Sequence, residues 1–279
     1  MSTILVTGAS GFIGKALCVA LAQTHQVVAL SRTDPRIDAP FVRGDFAHFE
    51  DLRRLDTHTF DAAVHLGAVT GGCSERDGIL VNVEGTRALM RYLIDRGCTK
   101  FVMASSIAAV GLQSTRFRPM QVPIPDEHPC LDRDGYGLSK YLMEEVTRYV
   151  QRQQPAIDVI NLRLSSVTAD DKLPQPHAAF ALHEWAPAVI TLMALSDAVR
   201  AFVLAVEAPH RPGLRVMNAT GPRAWVAEPM SRILRAWWGN EVDASHFDDP
   251  AHAYDSLYDV RRIRDELGFV AAVLPQQAV

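Results

Sequence analysis

Along the first 165 residues, apolar and polar positions alternate in blocks whose period switches regularly. Ile4, Leu5 and Val6 form a continuous apolar run inside STILVTGA, the pattern of a strand covered on both faces. GFIGKALCVALAQT then places its apolar residues at helical spacing. QVVALS, FVRGD, FDAAVHLGA, KFVMASS and AIDVINLRL read as five further strands. A long helix is predicted from Asp77 to Arg96, and another over YGLSKYLMEEVTRYV. Strand, helix and strand in succession require right-handed crossovers, so the predicted fold class is α/β with a doubly wound parallel sheet. Beyond residue 165 the alternation weakens. DDKLPQPHAAF is a proline-rich loop, LSDAVRAFVLAVE, PMSRILRAWWG and VRRIRDELG read as helices, and LRVMNAT as a strand. The predicted division is a sheet domain over 1–165 and a small C-terminal cap over 166–279, interleaved with the core at the sheet's carboxyl edge.

Composition changes this picture little. A chain of 279 residues, 48% hydrophobic and 22% charged, is long enough and apolar enough for a full core. The net charge of −4 and a pI near 6.2 give no basic excess for a nucleic-acid surface. No apolar run approaches the roughly 18 residues that span a bilayer, and the N-terminus lacks the basic, apolar and small-residue order of a secretory signal. A cytoplasmic protein without nucleic-acid or membrane partners is therefore expected. Cys18, Cys73, Cys98 and Cys130 have no paired spacing, which predicts free thiols. The ten histidines form no HExxH or comparable ligand set, so no metal site is predicted.

The first strand runs directly into Thr7-Gly8-Ala9-Ser10-Gly11-Phe12-Ile13-Gly14, with glycines spaced GxxGxxG. In such a loop Gly8 permits the tight turn, Gly11 lets backbone approach a pyrophosphate, and Gly14 lets the helix pack closely on the strand. The helix N-terminus that follows offers unpaired N–H groups and a positive dipole end to phosphates. This predicts a Rossmann-type dinucleotide site. A carboxylate at the end of the second strand would select NAD(H) through the ribose 2′-hydroxyl. Here Ser31-Arg32 stand in that place and the first acid is Asp34, so NADP(H) is expected ahead of NAD(H).

TGASGFIG at 7–14, RGDF at 43–46, HLGA at 65–68, NVEGT at 82–86, ASS at 104–106 and YGLSK at 136–140 together resemble the short-chain dehydrogenase/reductase superfamily, in its extended epimerase/dehydratase-like branch. The resemblance covers the chain to about residue 167, and VRRIRDELGF is similar to that branch's closing helix. It implies that Asp45 and Phe46 border the adenine, that Leu66, Gly67 and Ala68 line the adenosine ribose and phosphates, and that Asn82 holds its helix against the fourth and fifth strands. It also implies a catalytic set of Ser106, Tyr136 and Lys140, with Ser105 as a supporting donor, and a homodimer. Tyr136 and Lys140 are four residues apart, hence on one helix face. A phenol titrating near 10 is a poor acid or base at neutral pH, and a neighbouring ammonium favours its phenolate. Tyr136 would pass a proton, Lys140 would tune it and hold the nicotinamide ribose, and Ser106 would hydrogen-bond the reacting oxygen.

The expected activity is hydride transfer between nicotinamide and a small hydroxy or keto compound, sugar-derived molecules included, held by the C-terminal cap. An epimerase would use the same residues to oxidise and re-reduce one bound sugar. A non-catalytic dinucleotide sensor is the third reading. Ser106 is followed by Ile107, Ala108 and Ala109, which cannot move a proton, so 4,6-dehydration of a nucleotide sugar is not expected. HEWAPAVITLMAL at 183–195 has neither the glycine nor the arginine that sugar-nucleotide members of the branch offer a diphosphate there, which predicts a substrate without one. Arg215 and Arg223 are the substitutes to examine.

Overall fold

A computed structural model describes residues 1–111, 115, 117–131, 134–177 and 186–275. In chain order its elements are β1 (Thr3–Thr7), α1 (Phe12–Leu21), β2 (Gln26–Ser31), β3 (Phe41–Arg43), α2 (Phe49–Leu52), β4 (Ala62–His65), α3 (Glu75–Asp77), α4 (Gly85–Ile94), β5 (Lys100–Ser106), α5 (Gly135–Gln153), β6 (Asp158–Leu164), β7 (Val167–Thr168), α6 (Ala186–Ile190), β8 (Met193–Ala194), α7 (Leu195–Glu207), β9 (Gly213–Ala219), α8 (Met230–Trp238) and α9 (Arg261–Leu267). Seven strands form one parallel sheet in the order β3-β2-β1-β4-β5-β6-β9. The order reverses between β1 and β4, the place where open α/β sheets bind ligands at their carboxyl ends. Thr7 pairs with Leu30 of β2 on one side and His65 of β4 on the other, so the loops after all three strands leave from one edge.

The chain forms two compact units. The first comprises Met1–Ser105, Asp134–Leu162 and Val199–Val216, and the second Ser106–Arg133, Arg163–Ala198 and Met217–Val279. A single cut at residue 165 therefore does not describe them, for two physical reasons. The stretch 199–216 carries most of α7 and the start of β9, which belong with the sheet. The stretch 106–133 carries Ile107, Val110 and Ile124, whose apolar partners are Ile233, Leu234 and Tyr258 of the second unit. The first unit's core centres on Leu5, Val28, Leu89, Phe101, Met143 and Val159. No helix among the described residues is long and apolar enough to cross a membrane.

The helix predicted over 77–96 runs over 75–94, two residues earlier, because Ser74 caps it by accepting a 3.1 Å bond from Asp77 N. Between α3 and α4 it widens into a π-helical stretch, Gly78–Glu84, for which the sequence carries no period-based signal. The small parallel pair β7–β8 was likewise not predicted, since two-residue strands leave no alternation to read.

Candidate active site

The Gly-rich loop is built by close approach of backbone. Gly8 has φ +68°, and a Cβ there would lie 2.7 Å from Gly67 N and 2.8 Å from Leu66 C, so only glycine lets the loops after β1 and β4 touch. A Cβ on Gly14 would overlap the Gly8 carbonyl oxygen. Gly11 N donates 2.9 Å to that same oxygen and closes the turn. Gly11 is an extended N-cap without a side-chain bond, which leaves the first-turn N–H groups of α1 to an incoming anion. Ser10, Gly11, Phe12 and Ile13 all keep exposure to solvent, as a cradle requires. Backbone packed too closely at Gly8 and Gly14 for any Cβ sets exposed Gly11 and the start of α1 side by side, a surface that suits a pyrophosphate.

At the end of β2, Ser31 is buried and its Oγ donates 2.8 Å to Thr33 O, so the hydroxyl stabilises the turn. Arg32 is 80% exposed, with Asp45 Oδ2 4.0 Å away. Ser31 pairs with Arg43 of β3, and Arg43 Nη1 donates 3.2 Å to Arg32 O. Two guanidinium groups thus flank the strand end, of which the sequence reading named one. Asp45 Oδ1 accepts Ala47 N at 3.0 Å, and Phe46 turns its buried ring edge-on to His65. A Cβ on Gly67 or on Gly85 would lie 2.5 Å or 2.7 Å from that ring. The glycines of HLGA and NVEGT exist in part to admit Phe46. Leu66, Gly67 and Ala68 are half-buried beside it.

Asp134 sets where α5 begins, its Oδ1 accepting Tyr136 N at 2.8 Å and Gly137 N at 2.9 Å. Tyr136 is half-buried in that first turn. One turn on, Lys140 is 3% exposed, and its Nζ donates 2.7 Å to Ala104 O and lies 5.8 Å from the Tyr136 ring centroid. Burial pushes the Lys140 ammonium down to about 8, with Glu144 opposing the shift. Another turn on, buried Glu144 accepts a hydrogen bond from Ser105 Oγ. Tyr136, Lys140 and Glu144 therefore share one helix stripe, and β5 meets two of them through Ala104 and Ser105. Glu144 escaped the sequence reading although its i+4 spacing from Lys140 was visible. Ser106 is the last residue of β5, and its Oγ accepts Ala108 N at 3.1 Å, capping the short turn Ile107–Val110.

Asn82 lies in the π-helical stretch with its amide fully engaged. Its Oδ1 accepts Val69 N at 2.8 Å, and its Nδ2 donates to Val69 O at 2.9 Å and Ser139 Oγ at 2.8 Å. From within the π-helical stretch it ties the loop after β4 to α5. Arg215 is buried and paired with Asp158 at 2.6 Å, both at the beginnings of their strands and so at the opposite edge from the cradle. Arg223 stacks over Tyr254 at 5.7 Å. Cys18, Cys73 and Cys98 are free thiols. His246, His252 and Asp255 converge in the second unit, with His252 Nδ1 2.7 Å from Asp255 Oδ2, a grouping that motif spacing did not single out. Of the segment 183–195, residues 183–185 lie outside the described residues.

Comparison with known proteins agrees with this architecture. UDP-glucose 4-epimerase 1 of Oryza sativa subsp. japonica is 29% identical over 185 residues, 58% of this chain and 51% of that protein. A UDP-glucose 4-epimerase of Neisseria meningitidis serogroup C is 31% identical over 183 residues, 58% of this chain and 52% of that one. The chain thus spans about half the length of the curated relatives it matches. A short-chain dehydrogenase/reductase superfamily protein from Agrobacterium tumefaciens with bound NAD superposes with a TM-score of 0.72 at 24% identity, over 98% of this chain and 93% of that one. A glucuronic acid dehydrogenase from Chromohalobacter salexigens gives a TM-score of 0.66 at 22% identity, over 99% and 85%. These two share the fold. The family model of the NAD dependent epimerase/dehydratase family matches residues 4–219, and with the glycine cradle and the α5 stripe in place, the chain belongs to that family.

Proposed function

We propose that the protein transfers a hydride between a nicotinamide dinucleotide and a small hydroxy or keto compound. The observation that carries this reading is the α5 stripe: a phenol in the first turn and a fully buried ammonium one turn later, fixed against the end of β5. A bound nicotinamide would supply or accept the hydride. In the reducing direction the Tyr136 hydroxyl gives its proton to the substrate's carbonyl oxygen, and in the oxidising direction the phenolate takes it back. Lys140 holds positive charge beside that phenol and would bond a ribose hydroxyl of the dinucleotide. Ser106 orients the same substrate oxygen by hydrogen bonding. Gly8, Ser10, Gly11, Phe12, Ile13 and Gly14 hold the pyrophosphate, and Asp45, Phe46, Leu66, Gly67 and Ala68 border the adenosine half.

Arg32 and Arg43 support NADP(H) ahead of NAD(H), because a guanidinium fork suits a 2′-phosphate and β2 ends in Ser31, followed by Arg32, rather than in a carboxylate. Asp34, the nearest acid in sequence, accepts Arg36 N at 2.7 Å within its own loop. Epimerisation is the second reading, favoured by relatives that are UDP-glucose 4-epimerases. The test is a panel of sugars, sugar acids, ketones and UDP-sugars with both dinucleotides, following nicotinamide absorbance and sugar configuration. Net oxidation or reduction supports the dehydrogenase. Inversion of a UDP-sugar without net turnover transfers the same residues to an epimerase. Dinucleotide binding without either reaction would leave a sensor.

A further inference from the structure

Behind the glycine cradle lies a line of buried polar side chains that the proposed chemistry does not use. Thr7, His65, Thr86, Asn82 and Ser139 are each no more than 2% exposed. Thr7 Oγ1 and His65 Nδ1 are 2.6 Å apart, and His65 Nε2 and Thr86 Oγ1 are 3.0 Å apart. Thr86 Oγ1 donates 2.6 Å to Asn82 O, Asn82 Nδ2 donates 2.8 Å to Ser139 Oγ, and Ser139 Oγ donates 2.7 Å to Tyr136 O. Gly67 N approaches Thr7 Oγ1 at 3.3 Å from the other end.

Counting hydrogens fixes every direction in this line. Thr86 has one hydroxyl hydrogen and gives it to Asn82 O, so it must accept from His65 Nε2. His65 Nδ1 is then a bare lone pair, and Thr7 gives it its single hydrogen. Thr7 in turn accepts the Gly67 N–H. Burial, together with the charge on Lys140, pushes the His65 imidazole down to about 3, which keeps it in the neutral form this arrangement needs. One end of the line is Thr7, next to Gly8 and its contact with Gly67. The other end is the carbonyl of Tyr136 itself.

We propose that His65 is a positioning residue through which occupation of the glycine cradle orders the first turn of α5, so that the proton-transferring phenol is held in place when the dinucleotide binds. The inference rests on the dinucleotide reading above. A hydrogen bond to each ring nitrogen lets His65 tie Thr7 at the end of β1 to Thr86 at the start of α4. A shift at Gly8 or Gly67 then cannot be absorbed without breaking a bond in a buried line, where an unpaired group is disfavoured. The coupling needs no contact between the dinucleotide and α5.

The probe is adenosine 2′,5′-bisphosphate, which reaches the cradle's side of the site but lacks the nicotinamide ribose that would touch Tyr136 or Lys140. In the wild type its binding should slow amide exchange across residues 135–143 at least about fivefold. Thr86→Val and Ser139→Ala should keep the probe's Kd within about threefold and lose that slowing. His65→Leu should lose it as well, while His65→Gln, whose amide offers both an acceptor and a donor, should restore part of it. Thr86→Val and Ser139→Ala break the line at separate points, so failure of one to fold leaves the other informative. Retention of the slowing in both variants, or its absence in a wild type that binds the probe, overturns the coupling and leaves the dinucleotide reading intact. Failure of the wild type to bind the probe, NADP+ and NAD+ alike overturns that reading and the coupling with it.

Discussion

Inside each of the two units the chain is held together in its own way. In the first, strands of consecutive apolar residues pair in parallel, and backbone approaches too closely for a Cβ at Gly8, Gly14, Gly78 and Gly135. In the second, irregular chain is joined by side chains that bond to distant carbonyls. Asn218 Nδ2 reaches Ile124 O at 3.0 Å and Asp259 O at 3.3 Å, Arg163 Nη1 reaches Asp126 O at 2.7 Å, and Trp238 Nε1 reaches Thr115 O at 2.8 Å. The first unit is therefore sensitive to added volume at its glycines as well as to breaks in its buried polar line, whereas the second depends on hydrogen bonds at its polar anchors.

The largest effect should come from one methyl group. Gly14→Ala would put a Cβ into the Gly8 carbonyl and against Ala9 Cα, both backbone atoms that cannot turn aside. Unfolding free energy should fall by about 2–4 kcal/mol, and dinucleotide affinity should fall at least about a hundredfold. In the second unit a Cβ on Gly221 would meet nothing nearer than 3.6 Å, and Gly221→Ala should change stability by less than about 0.5 kcal/mol. Urea unfolding and fluorescence titration with NADPH read both. A Gly14→Ala protein with normal affinity would remove the basis of the cradle.

Tyr136→Phe comes next. Turnover should drop at least about a hundredfold while dinucleotide affinity stays within about threefold, because the phenol acts on the proton and the cradle on the phosphates. Stability should hardly move, since Asp134 caps the helix through backbone N–H groups that the substitution keeps. Near-normal turnover would end the proposed mechanism.

The contrast between the units also explains what could be read from sequence. Ile4-Leu5-Val6, the GxxGxxG spacing and Tyr136-xxx-Lys140 are local signals, so the sheet, the glycine loop and two of the stripe's three residues were legible at once. The partners of His65 are not local: Thr7 lies 58 positions back and Thr86 21 positions ahead. No spacing rule links them until β1 and β4 are paired. The π-helical stretch that carries Asn82 has no compositional signature either. In the second unit, Asn218 bonds across 94 positions to Ile124 inside a proline-rich connection that reads only as loop. The compact units do not divide at a single point in the chain, and apolar residues in such a loop carry no period to say which core they join.

Asn218 is the matching probe of the second unit. Asn218→Ala removes donors to two buried carbonyls, and Ile124 O keeps a partner in Asp259 N at 2.9 Å while Asp259 O loses one. A destabilisation of about 1–3 kcal/mol is expected. NADPH affinity of the folded protein should be unchanged. An affinity loss beyond about threefold would show that the two kinds of construction are not separable in function.

Acid should divide the units by sign. His65 titrates near 3 when folded and near 6.5 when unfolded, so below pH 6.5 the unfolded chain takes up a proton that the first unit refuses, and stability falls with pH. Burial pushes the Asp126 carboxyl in the second unit up to about 6, above its unfolded value of 3.8. Between those values the folded second unit holds the extra proton, and its stability rises as pH falls. Each slope approaches about 1.4 kcal/mol per pH unit at most, and they oppose one another between pH 6 and 4. His65→Gln should therefore make the protein more tolerant of that range, and Asp126→Asn should make its stability fall more steeply with acid. Chemical denaturation at several pH values, with both variants, reads the two slopes separately. Slopes of the same sign would contradict the assignment of either burial.

The smallest effect should appear at the most exposed part of the first unit. Arg32 is 80% exposed and 4.0 Å from Asp45, so its charge is screened by water and contributes little to the fold. Arg32→Ala should leave stability and NAD(H) affinity nearly unchanged. It should weaken NADP(H) by about fivefold to tenfold, with Arg43 on the neighbouring strand retaining part of the 2′-phosphate's attraction. Arg32→Ala combined with Arg43→Ala should then abolish the preference. Because the interaction is between exposed charges, the wild-type preference should also shrink as salt is raised, and the single variant's preference should depend on salt less steeply. Titrations of both dinucleotides at two ionic strengths separate the outcomes. A wild type that prefers NAD(H) tenfold would show instead that the two guanidinium groups face solvent only, and that the cradle discriminates dinucleotides through the adenosine side of Asp45.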